Sequence, residues 1–360
     1  MPDTKPGVVI DGEGVCSACR SVEKKRTIDW AARQKQLRDL CDEIRGKNGN
    51  GYDCIVPVSG GKDSFYQAWT MSAVYKLKVL CVIVTPHLQT AEGIMNLNNL
   101  VEKLDVDLFK ILIKPQTLQS IRRQAFFTKG EPNWADHCCV FAGVARVAYM
   151  YQVPLVVWGE DISVEFGGPG SQRAKASADD LMDNELIGKT RVEDFLTPEV
   201  TSGDVFFFRP PEREEMQRRR IRSIYLGYYH FWDGHKHYVH AAAQGFLARR
   251  AGPLSGNVID YDNIDEKLCE INIWFKFLKF GFWRPTDQCC YQIWNGRMSR
   301  PEAVALVNAK QYEFPGEYLK EFLEYHRITE KDFWDTAEKY RNKDLWERRK
   351  GEWRLKVALS

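Results

Sequence analysis

The stretch that decides the fold reads Asp53-Cys54-Ile55-Val56-Pro57-Val58-Ser59-Gly60-Gly61-Lys62-Asp63-Ser64. Its first half, residues 53–58, is a short apolar run of the kind that forms a buried strand in a parallel sheet. Apolar side chains then recur at helical spacing from Ser64 to Tyr75, which predicts a helix. We therefore expect a strand, a glycine-rich turn and a helix in direct succession.

The turn has the composition of a phosphate-binding loop. Two adjacent glycines let a phosphate approach the backbone, and a helix start presents unpaired N–H groups and the positive end of its dipole. Ser59 and Ser64 can donate hydroxyl hydrogen bonds, and Lys62 supplies a positive charge. Asp63 is placed to cap the helix or to hold Mg²⁺. The pattern is not a Walker A loop, because it lacks the four-residue spacer. The alternative is a glycine-rich turn that binds nothing.

Strands and helices alternate beyond this loop. Apolar runs at residues 79–84, 108–113 and 155–158 predict three further strands, with helices at 97–104 and 141–150. Such alternation indicates an α/β fold with a doubly wound parallel sheet, in which ligands bind at the carboxyl ends of the strands.

Three stretches organise the chain. Residues 1–50 form a small cysteine-containing segment with Cys16-x-x-Cys19, and residues 51–184 form the domain around the phosphate loop. Residues 185–360 are predicted to be an α-rich unit that covers the open face of the sheet.

The finer pattern outside the sheet is expected as follows. A polar segment at 167–180 is predicted to be a mobile loop, and residues 226–294 are aromatic and irregular. A charged tail ends the chain, and helices are predicted at 27–45, 212–225, 301–309 and 314–325.

Composition excludes several classes of protein. The 360 residues are 44% hydrophobic and 28% charged, as in ordinary globular proteins. A net charge of +2 gives no electrostatic reason for binding nucleic acid or a membrane surface. Ten cysteines in a chain of this length suit a reducing compartment, and neither a signal peptide nor a membrane span is apparent. We therefore expect a cytoplasmic protein.

Two carboxylates follow the last predicted strand of the sheet. Glu160 and Asp161 come directly after residues 155–158, at the edge where such sheets bind ligands. A carboxylate there can hold Mg²⁺ or accept a proton, so both are candidate catalytic residues. The alternative is a solvated acidic loop.

The hexapeptide from Ser59 to Ser64 resembles the signature of the PP-loop ATP pyrophosphatases. The resemblance implies that ATP is cleaved between its α- and β-phosphates and that AMP is transferred to a carbonyl-type oxygen. A nitrogen or sulfur nucleophile then displaces AMP, and preorganised donors stabilise the developing charge. On this basis Lys62 and Asp63 are catalytic candidates, Thr85 lies at the adenine edge, and the cofactors are ATP and Mg²⁺.

Further motifs resemble those of the N-acetyl sugar amidotransferases and span nearly the whole chain. They begin with residues 1–7 and 11–19, and Trp158 to Asp161 adds Gly159 to the candidate nucleotide-binding residues. The others are Leu226-Gly227-Tyr228-Tyr229, Trp232-Asp233, Tyr261-Asp262-Asn263-Ile264-Asp265 and Lys279 to Asp287.

This second resemblance implies a substrate and a partner. Family members serve lipopolysaccharide, O-antigen, pseudaminic- and legionaminic-acid pathways, and convert an acetamido group of a nucleotide-linked sugar to an acetamidino group. A separate glutaminase delivers the ammonia, which is consistent with the lack of a glutaminase domain in this sequence. Lys279, Arg284 and Asp287 are then candidates for a lid over phosphate, or else plain surface charges.

The Cys16-x-x-Cys19 pair is half of a zinc-ribbon knuckle. In the resembling family another Cys-x-x-Cys precedes this region. Either the natural chain begins further upstream, or other ligands complete the site. Two loose thiols are the alternative to Zn²⁺.

Other reactive side chains have plainer interpretations. His137, Cys138 and Cys139 suit packing or a substrate loop as well as a metal or thiol site. The arginine run at 218–222 indicates a solvated helix face, or a surface for a diphosphate. Four histidines are expected in a hairpin and on the surface, because Trp232 to His235 has the composition of a turn: His230, His235, His237 and His240.

Two other functions compete with the amidotransferase. A PP-loop sulfurtransferase that thiolates tRNA would use cysteines such as Cys138, Cys139, Cys289 and Cys290, but the chain lacks a basic RNA-binding appendage. A regulatory subunit that binds adenine nucleotide without turnover is the other, and the intact Lys62-Asp63 pair weakens it.

Overall fold

The computed structural model describes residues 1–167, 175–181 and 187–357. Its centre is a parallel five-stranded sheet with the strand order β3-β2-β1-β4-β5. The strands are β1 (Cys54–Pro57), β2 (Val79–Val84), β3 (Asp107–Ile111), β4 (Leu155–Trp158) and β5 (Arg222–Tyr225). The order reverses beside β1, so its carboxyl end lies at the crevice where doubly wound sheets bind ligands.

Helices cover both faces of the sheet, which confirms the doubly wound α/β prediction. Cys54 and Val56 of β1 pack into one core cluster and Ile55 into another, because side chains alternate along a strand. The covering helices include α3 (Lys62–Trp69), α4 (Ala91–Leu104), α5 (Pro115–Lys129) and α6 (Trp134–Tyr151).

The N-terminal segment consists of two helices, α1 (Ser17–Arg26) and α2 (Trp30–Ile44). Cys16 is the N-cap of α1, so the Cys-x-x-Cys pair begins a helix. The start predicted at residue 27 is wrong, because Thr27 ends α1 and the Asp29 carboxylate caps α2 by accepting from Ala32 N at 2.9 Å.

The helix predicted at 212–225 is wrong in its second half. Helix α8 spans only Arg213–Arg218, and the chain continues as β5, which pairs in parallel with β4 from Leu155↔Arg222 to Trp158↔Tyr225. Burial of Ile224 and Tyr225 beside the sheet outweighs the local helical spacing. The sheet therefore includes a strand from beyond the domain boundary predicted at residue 184.

The region predicted to be irregular at 226–294 is irregular only in part: residues 243–268 form no helix or strand, whereas two helices lie on each side of them. Its Trp232–His235 turn is the start of a helix, because the Asp233 carboxylate caps it by accepting from His235 N at 3.1 Å. The helices of this region are α9 (Leu226–Tyr229), α10 (Gly234–Ala242), α11 (Cys269–Phe280) and α12 (Arg284–Trp294). Outside it lie α7 (Ile162–Phe166), α13 (Arg300–Lys310), α14 (Leu319–His326) and α15 (Glu330–Tyr340).

Helices α8 to α15 all lie within residues 185–360, which confirms the α-rich C-terminal prediction. The predicted charged tail contains α15 and a hairpin of β6 (Trp346–Arg349) and β7 (Glu352–Leu355). Aromatic side chains of this region, including Trp274 and Phe333, form a core with Phe126 of α5. Residues 168–174 of the predicted mobile loop lie outside the described residues. In the described part of the chain, no helix combines the length and the apolar character that crossing a membrane requires.

A buried ion pair ties the N-terminal segment to the rest of the fold. Lys25 Nζ of α1 lies 2.7 Å from Glu165 Oε1 of α7, and the two side chains are only 8% and 5% exposed. The Tyr291 hydroxyl also donates to Glu165 Oε2 at 3.2 Å. Since a buried carboxylate without its cation is costly, this pair should hold α1 and α7 together.

We expect Lys25→Met to lower the free energy of unfolding by about 3–5 kcal/mol, because it leaves Glu165 uncompensated. The matched control is Lys35→Met, whose exposed pair with Asp39 should contribute less than about 1 kcal/mol. Urea denaturation measures both. Equal losses in the two variants would contradict this role of the buried pair.

Candidate active site

The phosphate loop joins β1 to α3, as predicted. Gly60 has φ +96°, and a Cβ there would lie 2.6 Å from the Gly93 carbonyl oxygen, so only glycine fits. Gly61 occupies the N-cap of α3 without a side-chain cap. The Ser64 hydroxyl instead donates to the Gly61 carbonyl at 2.9 Å. The N–H groups that begin α3 thus remain available to an anion.

We expect Gly60→Ala to abolish nucleotide binding, because it strains the backbone and pushes the loop against Gly93. The exposed Gly203→Ala, whose Cβ would meet only Thr201 at 3.7 Å, is the control. Titration with a fluorescent ATP analogue measures binding, and circular dichroism checks that both variants fold. Wild-type affinity in Gly60→Ala would refute the assignment of the loop.

Lys62 stands at the centre of a network of charges. Its Nζ lies 2.9 Å from Asp63 Oδ2 and 2.5 Å from Asp262 Oδ1. Burial lowers the pKa of Lys62, but the two carboxylates outweigh burial and hold it above its ordinary value. Burial likewise raises the pKa of Asp63, and Lys62 and His237 reverse that effect and lower it. Lys62 is therefore cationic and Asp63 anionic around neutral pH.

His237 is a site residue that the sequence does not reveal. Its Nδ1 donates to Asp63 Oδ1 at 2.7 Å, and its ring is buried against Tyr66, with ring centroids 4.0 Å apart. Helix α10 carries it, and the cap of that helix, Asp233, is held by Arg297 through bonds of 2.8 and 2.9 Å. The surface position expected for His237 is thus wrong, because α10 packs on α3.

We expect His237→Phe to weaken ATP binding about tenfold, since the ring still stacks on Tyr66 but no longer holds Asp63. His240→Phe is the matched control, because His240 lies on the same helix and bonds Gln244 instead. Isothermal titration of ATP measures both variants. Equal affinities in the two would show that the bond to Asp63 does not position the loop.

Two cavities meet at the loop. The larger, about 930 Å³, extends along the carboxyl ends of the strands, and the smaller, about 300 Å³, runs toward α12. Ser59, Asp63, Ser64 and Glu160 line both. Gly159 and Asp161 line the larger cavity, as do Val84 and Pro86, whereas Thr85 between them does not.

Glu160 lies where a proton acceptor is expected. Burial raises the pKa of Glu160, and the negative charges of Asp63 and Glu165 add to this shift. Gly159 beside it is needed for packing, because a Cβ there would lie 2.6 Å from Gln67 Nε2 and 2.9 Å from the Trp232 ring. The raised pKa brings Glu160 into the range useful for exchanging protons near neutrality.

The residues around the loop suit Mg²⁺ that arrives with a nucleotide. Carboxylates of Asp63, Glu160 and Asp265 line both cavities, and Mg²⁺ is commonly held by one or two carboxylates together with substrate phosphates. Within the described ranges, no three His, Cys, Asp or Glu residues are already grouped to hold a metal. The phosphate oxygens would complete such a site.

The three residues predicted to form a lid over phosphate do not all lie at the same cavity. Arg284 and Asp287 line the smaller cavity and pair with Glu270 and Lys276, at 3.4 and 2.6 Å. Lys279 instead pairs with Glu131 at 2.8 Å.

The remaining cysteine and histidine candidates are engaged in packing. His137, Cys138 and Cys139 lie within α6 rather than in a loop ahead of it, and the Cys138 thiol donates to the Phe208 carbonyl at 3.3 Å. His230 bonds the Tyr75 hydroxyl at 2.8 Å.

The arginine run at 218–222 agrees with the prediction that these side chains are solvated rather than part of a diphosphate site. Arg218, Arg219 and Arg220 are exposed. Arg218 pairs with Glu215, and Arg219 donates to the Tyr149 hydroxyl at 3.1 Å.

Cys16 and Cys19 lie together at the start of α1. Cys19 N donates to Cys16 Sγ at 3.5 Å, and Trp294 Nε1 donates to Cys19 Sγ at 3.3 Å. The described residues group no third and fourth ligand of the usual types around this pair. Zinc therefore stays a prediction that the structure does not support.

The sheet order and the glycine-rich loop between β1 and α3 define a doubly wound α/β protein with a phosphate-binding type of loop. Within that class, residues 255–359 match the family described as LPS biosynthesis protein WbpG-like, C-terminal domain. This part of the chain is therefore similar to the C-terminal domain of WbpG-like proteins, which agrees with the sugar-pathway resemblance in the sequence.

One curated relative is the uncharacterized protein MJ1599 of Methanocaldococcus jannaschii. It is 30% identical over 105 residues, which are 29% of this chain and 37% of that protein. The chain thus matches little more than a third of its relative's length.

Three solved structures are similar at low identity. NMN synthetase from Francisella tularensis has a TM-score of 0.31 at 15% identity, over 54% of this chain and 96% of its own. The U34-tRNA thiolase NcsA from Methanococcus maripaludis, with its [4Fe-4S] cluster, has a TM-score of 0.34 at 13% identity, over 74% of this chain and 79% of its own. NH3-dependent NAD synthetase from Campylobacter jejuni has a TM-score of 0.29 at 15% identity, over 54% of this chain and 94% of its own.

Proposed function

We propose that this protein is an ATP-dependent amidotransferase that converts an acetamido group of a nucleotide-activated sugar to an acetamidino group. One observation carries the proposal. The WbpG-like C-terminal domain, which occurs in lipopolysaccharide biosynthesis proteins, supplies Asp262 directly to Lys62 of the PP-loop. The nucleotide loop and the domain linked to sugar pathways thus build one site.

The first step is adenylation of the acetamido group. Its carbonyl oxygen attacks the α-phosphorus of ATP, the bond to the β-phosphate breaks, and pyrophosphate leaves. A neutral amide needs no strong base, so orientation and electrostatics supply the acceleration. Lys62 and the N–H groups at the start of α3 offset the charge of the leaving pyrophosphate. Bound Mg²⁺ would neutralise further phosphate charge.

The second step is attack by ammonia on the carbon of the O-adenylated imidate, which keeps the proton on the amide nitrogen and is therefore a cation. The new nitrogen loses a proton, the C–O bond breaks, and AMP leaves with the former carbonyl oxygen. Glu160 is the proton acceptor in this proposal, because it lines both cavities and its raised pKa lets it take up a proton near neutrality. A separate glutaminase supplies the ammonia.

Thiolation of tRNA receives less support from this geometry. A thiol reacts as its thiolate, and burial raises the pKa of the four cysteines that such a reaction would use. The pKa is about 12 for Cys138 and about 11 for Cys289, and it is also raised for Cys139 and Cys290.

The assay of this proposal supplies ATP, ammonium and a diacetamido sugar nucleotide to the purified protein. We expect AMP, pyrophosphate and a sugar nucleotide one mass unit lighter, because NH replaces O. Lys62→Ala should lower the rate at least 100-fold, whereas the exposed Lys35→Ala should not. AMP that forms only with tRNA and a sulfur donor, or tight ATP binding without AMP under any condition, would overturn the proposal.

The pH dependence tests the role of Glu160. At a fixed concentration of neutral ammonia, the rate should rise with pH through the raised pKa of Glu160, because only the carboxylate accepts a proton. Glu160→Gln should lower kcat about 100-fold or more and remove that rise. A pH profile unchanged in Glu160→Gln would show that another group accepts the proton.

A further inference from the structure

The Arg284 guanidinium lines the smaller cavity without making a hydrogen bond. Its side chain is only 15% exposed, and its Nε lies 3.4 Å from Glu270 Oε1 without bonding to it. Among the described residues, no hydrogen bond involves this guanidinium, so all of its N–H donors are unused. Nε is closed to solvent, whereas the two terminal nitrogens are accessible. The terminal donors are therefore open to a ligand.

Other inward-facing arginines of the fold use their donors. Arg249 Nη2 donates to the Asn263 carbonyl at 2.6 Å. Arg297 holds the Asp233 carboxylate through two bonds, of 2.8 and 2.9 Å. Polar groups that are largely removed from solvent are normally satisfied. The unused donors of Arg284 thus indicate a partner that comes from outside the chain.

Arg284 is held by charge rather than by hydrogen bonds. The Glu270 oxygens already accept from Asn263 Nδ2 at 3.0 Å and from Asn257 Nδ2 at 3.2 Å. Burial lowers the pKa of Arg284, but the negative charges of Glu270 and Asp262 outweigh burial and raise it. The guanidinium therefore stays cationic, and the partner that suits it is an anion with several acceptor oxygens.

The position of Arg284 is fixed beside the phosphate loop. Trp283 before it is fully buried and donates from Nε1 to the Gln311 carbonyl at 2.8 Å, which anchors the start of α12. Asp262 contacts Lys62 at 2.5 Å and also attracts Arg284. Lys62 and Arg284 line the smaller cavity but not the larger one. The two cations therefore face the same space.

We infer that Arg284 binds the β- and γ-phosphates of ATP together with Lys62, an inference that rests on the proposed function. A guanidinium fork donates two parallel hydrogen bonds to phosphate oxygens, whereas a lysine ammonium acts as a point charge. The polyphosphate tail of ATP then lies in the smaller cavity, and the larger one receives the adenosine and the acetamido sugar. As the bond between the α- and β-phosphates breaks, Arg284 offsets part of the charge that leaves with pyrophosphate.

The diphosphate of a nucleotide-activated sugar offers the same acceptor oxygens and is the other source of this chemistry. The smaller cavity, about 300 Å³, is at the lower end of the range of ligand cavities. It suits a phosphate tail that enters from the loop rather than a whole nucleotide sugar. The test therefore measures the two sources separately.

Isothermal titration of the full chain with pyrophosphate, ATP, AMP and a diacetamido sugar nucleotide, each with Mg²⁺, measures this contact. Arg284→Met should weaken binding of pyrophosphate and ATP at least about tenfold and leave that of AMP, which ends at the α-phosphate, within about twofold. Arg349→Met is the control, because Arg349 is exposed and pairs with Glu347 in the β6–β7 hairpin. Unchanged binding of pyrophosphate in Arg284→Met, or a loss confined to the sugar nucleotide, would overturn the inference.

A second variant separates ligand contact from folding, because Arg284→Met leaves Glu270 without its cation. Arg284→Lys keeps the charge but not the fork, so it should still lower the affinity for pyrophosphate about fivefold or more. Circular dichroism checks that each variant folds, and wild-type affinity in Arg284→Lys would overturn the contact. If the wild type binds neither ATP nor pyrophosphate, the proposed function and this inference fail together. If the wild type forms AMP with an acetamido sugar and both Arg284 variants keep its KM for ATP, this inference alone fails.

Discussion

The part-buried contact between Lys62 and Asp262 is the interaction on which the site depends. The two residues lie 200 positions apart, and their 2.5 Å contact joins the phosphate loop to the C-terminal region. Asp63 completes the network, with one oxygen on Lys62 and the other on His237. Because buried charges are stable only when compensated, each half of the chain needs the other to place its ionised groups. The nucleotide loop is therefore not an independent module in this protein.

The same network explains the electrostatic character of the cavities. Two cations of the smaller cavity, Lys62 and Arg284, face six carboxylates, so its wall is acidic. An anionic nucleotide can enter such a wall only with cations of its own, which is consistent with the carboxylates suited to Mg²⁺. Burial raises the pKa of Glu160, and the negative charges of Asp63 and Glu165 raise it further. The same carboxylates that suit Mg²⁺ therefore also contribute to the raised pKa of Glu160.

Much of the sheet and the loop could be predicted from sequence, because β1, β2 and β4 are apolar runs bounded by turns and the loop is a local motif. The strand β5 could not, since Ile221 and Ile224 lie at a spacing that also fits a helix. Tertiary pairing with β4 decides its structure. His237 and Asp262 contact loop residues that lie 174 and 200 positions away in the sequence. Local sequence patterns carry no information about such long-range contacts. For Asp262, its place in the motif Tyr261 to Asp265 was the available signal.

The most direct test of the central claim follows the oxygen atom of the acetamido group. A sugar nucleotide labelled with ¹⁸O at the acetamido carbonyl is turned over with ATP and ammonium, and the nucleotide products are analysed by mass spectrometry. Adenylation of that oxygen predicts that AMP gains the label, because the C–O bond breaks when ammonia displaces AMP. Label in pyrophosphate or inorganic phosphate, with unlabelled AMP, would contradict adenylation at the PP-loop.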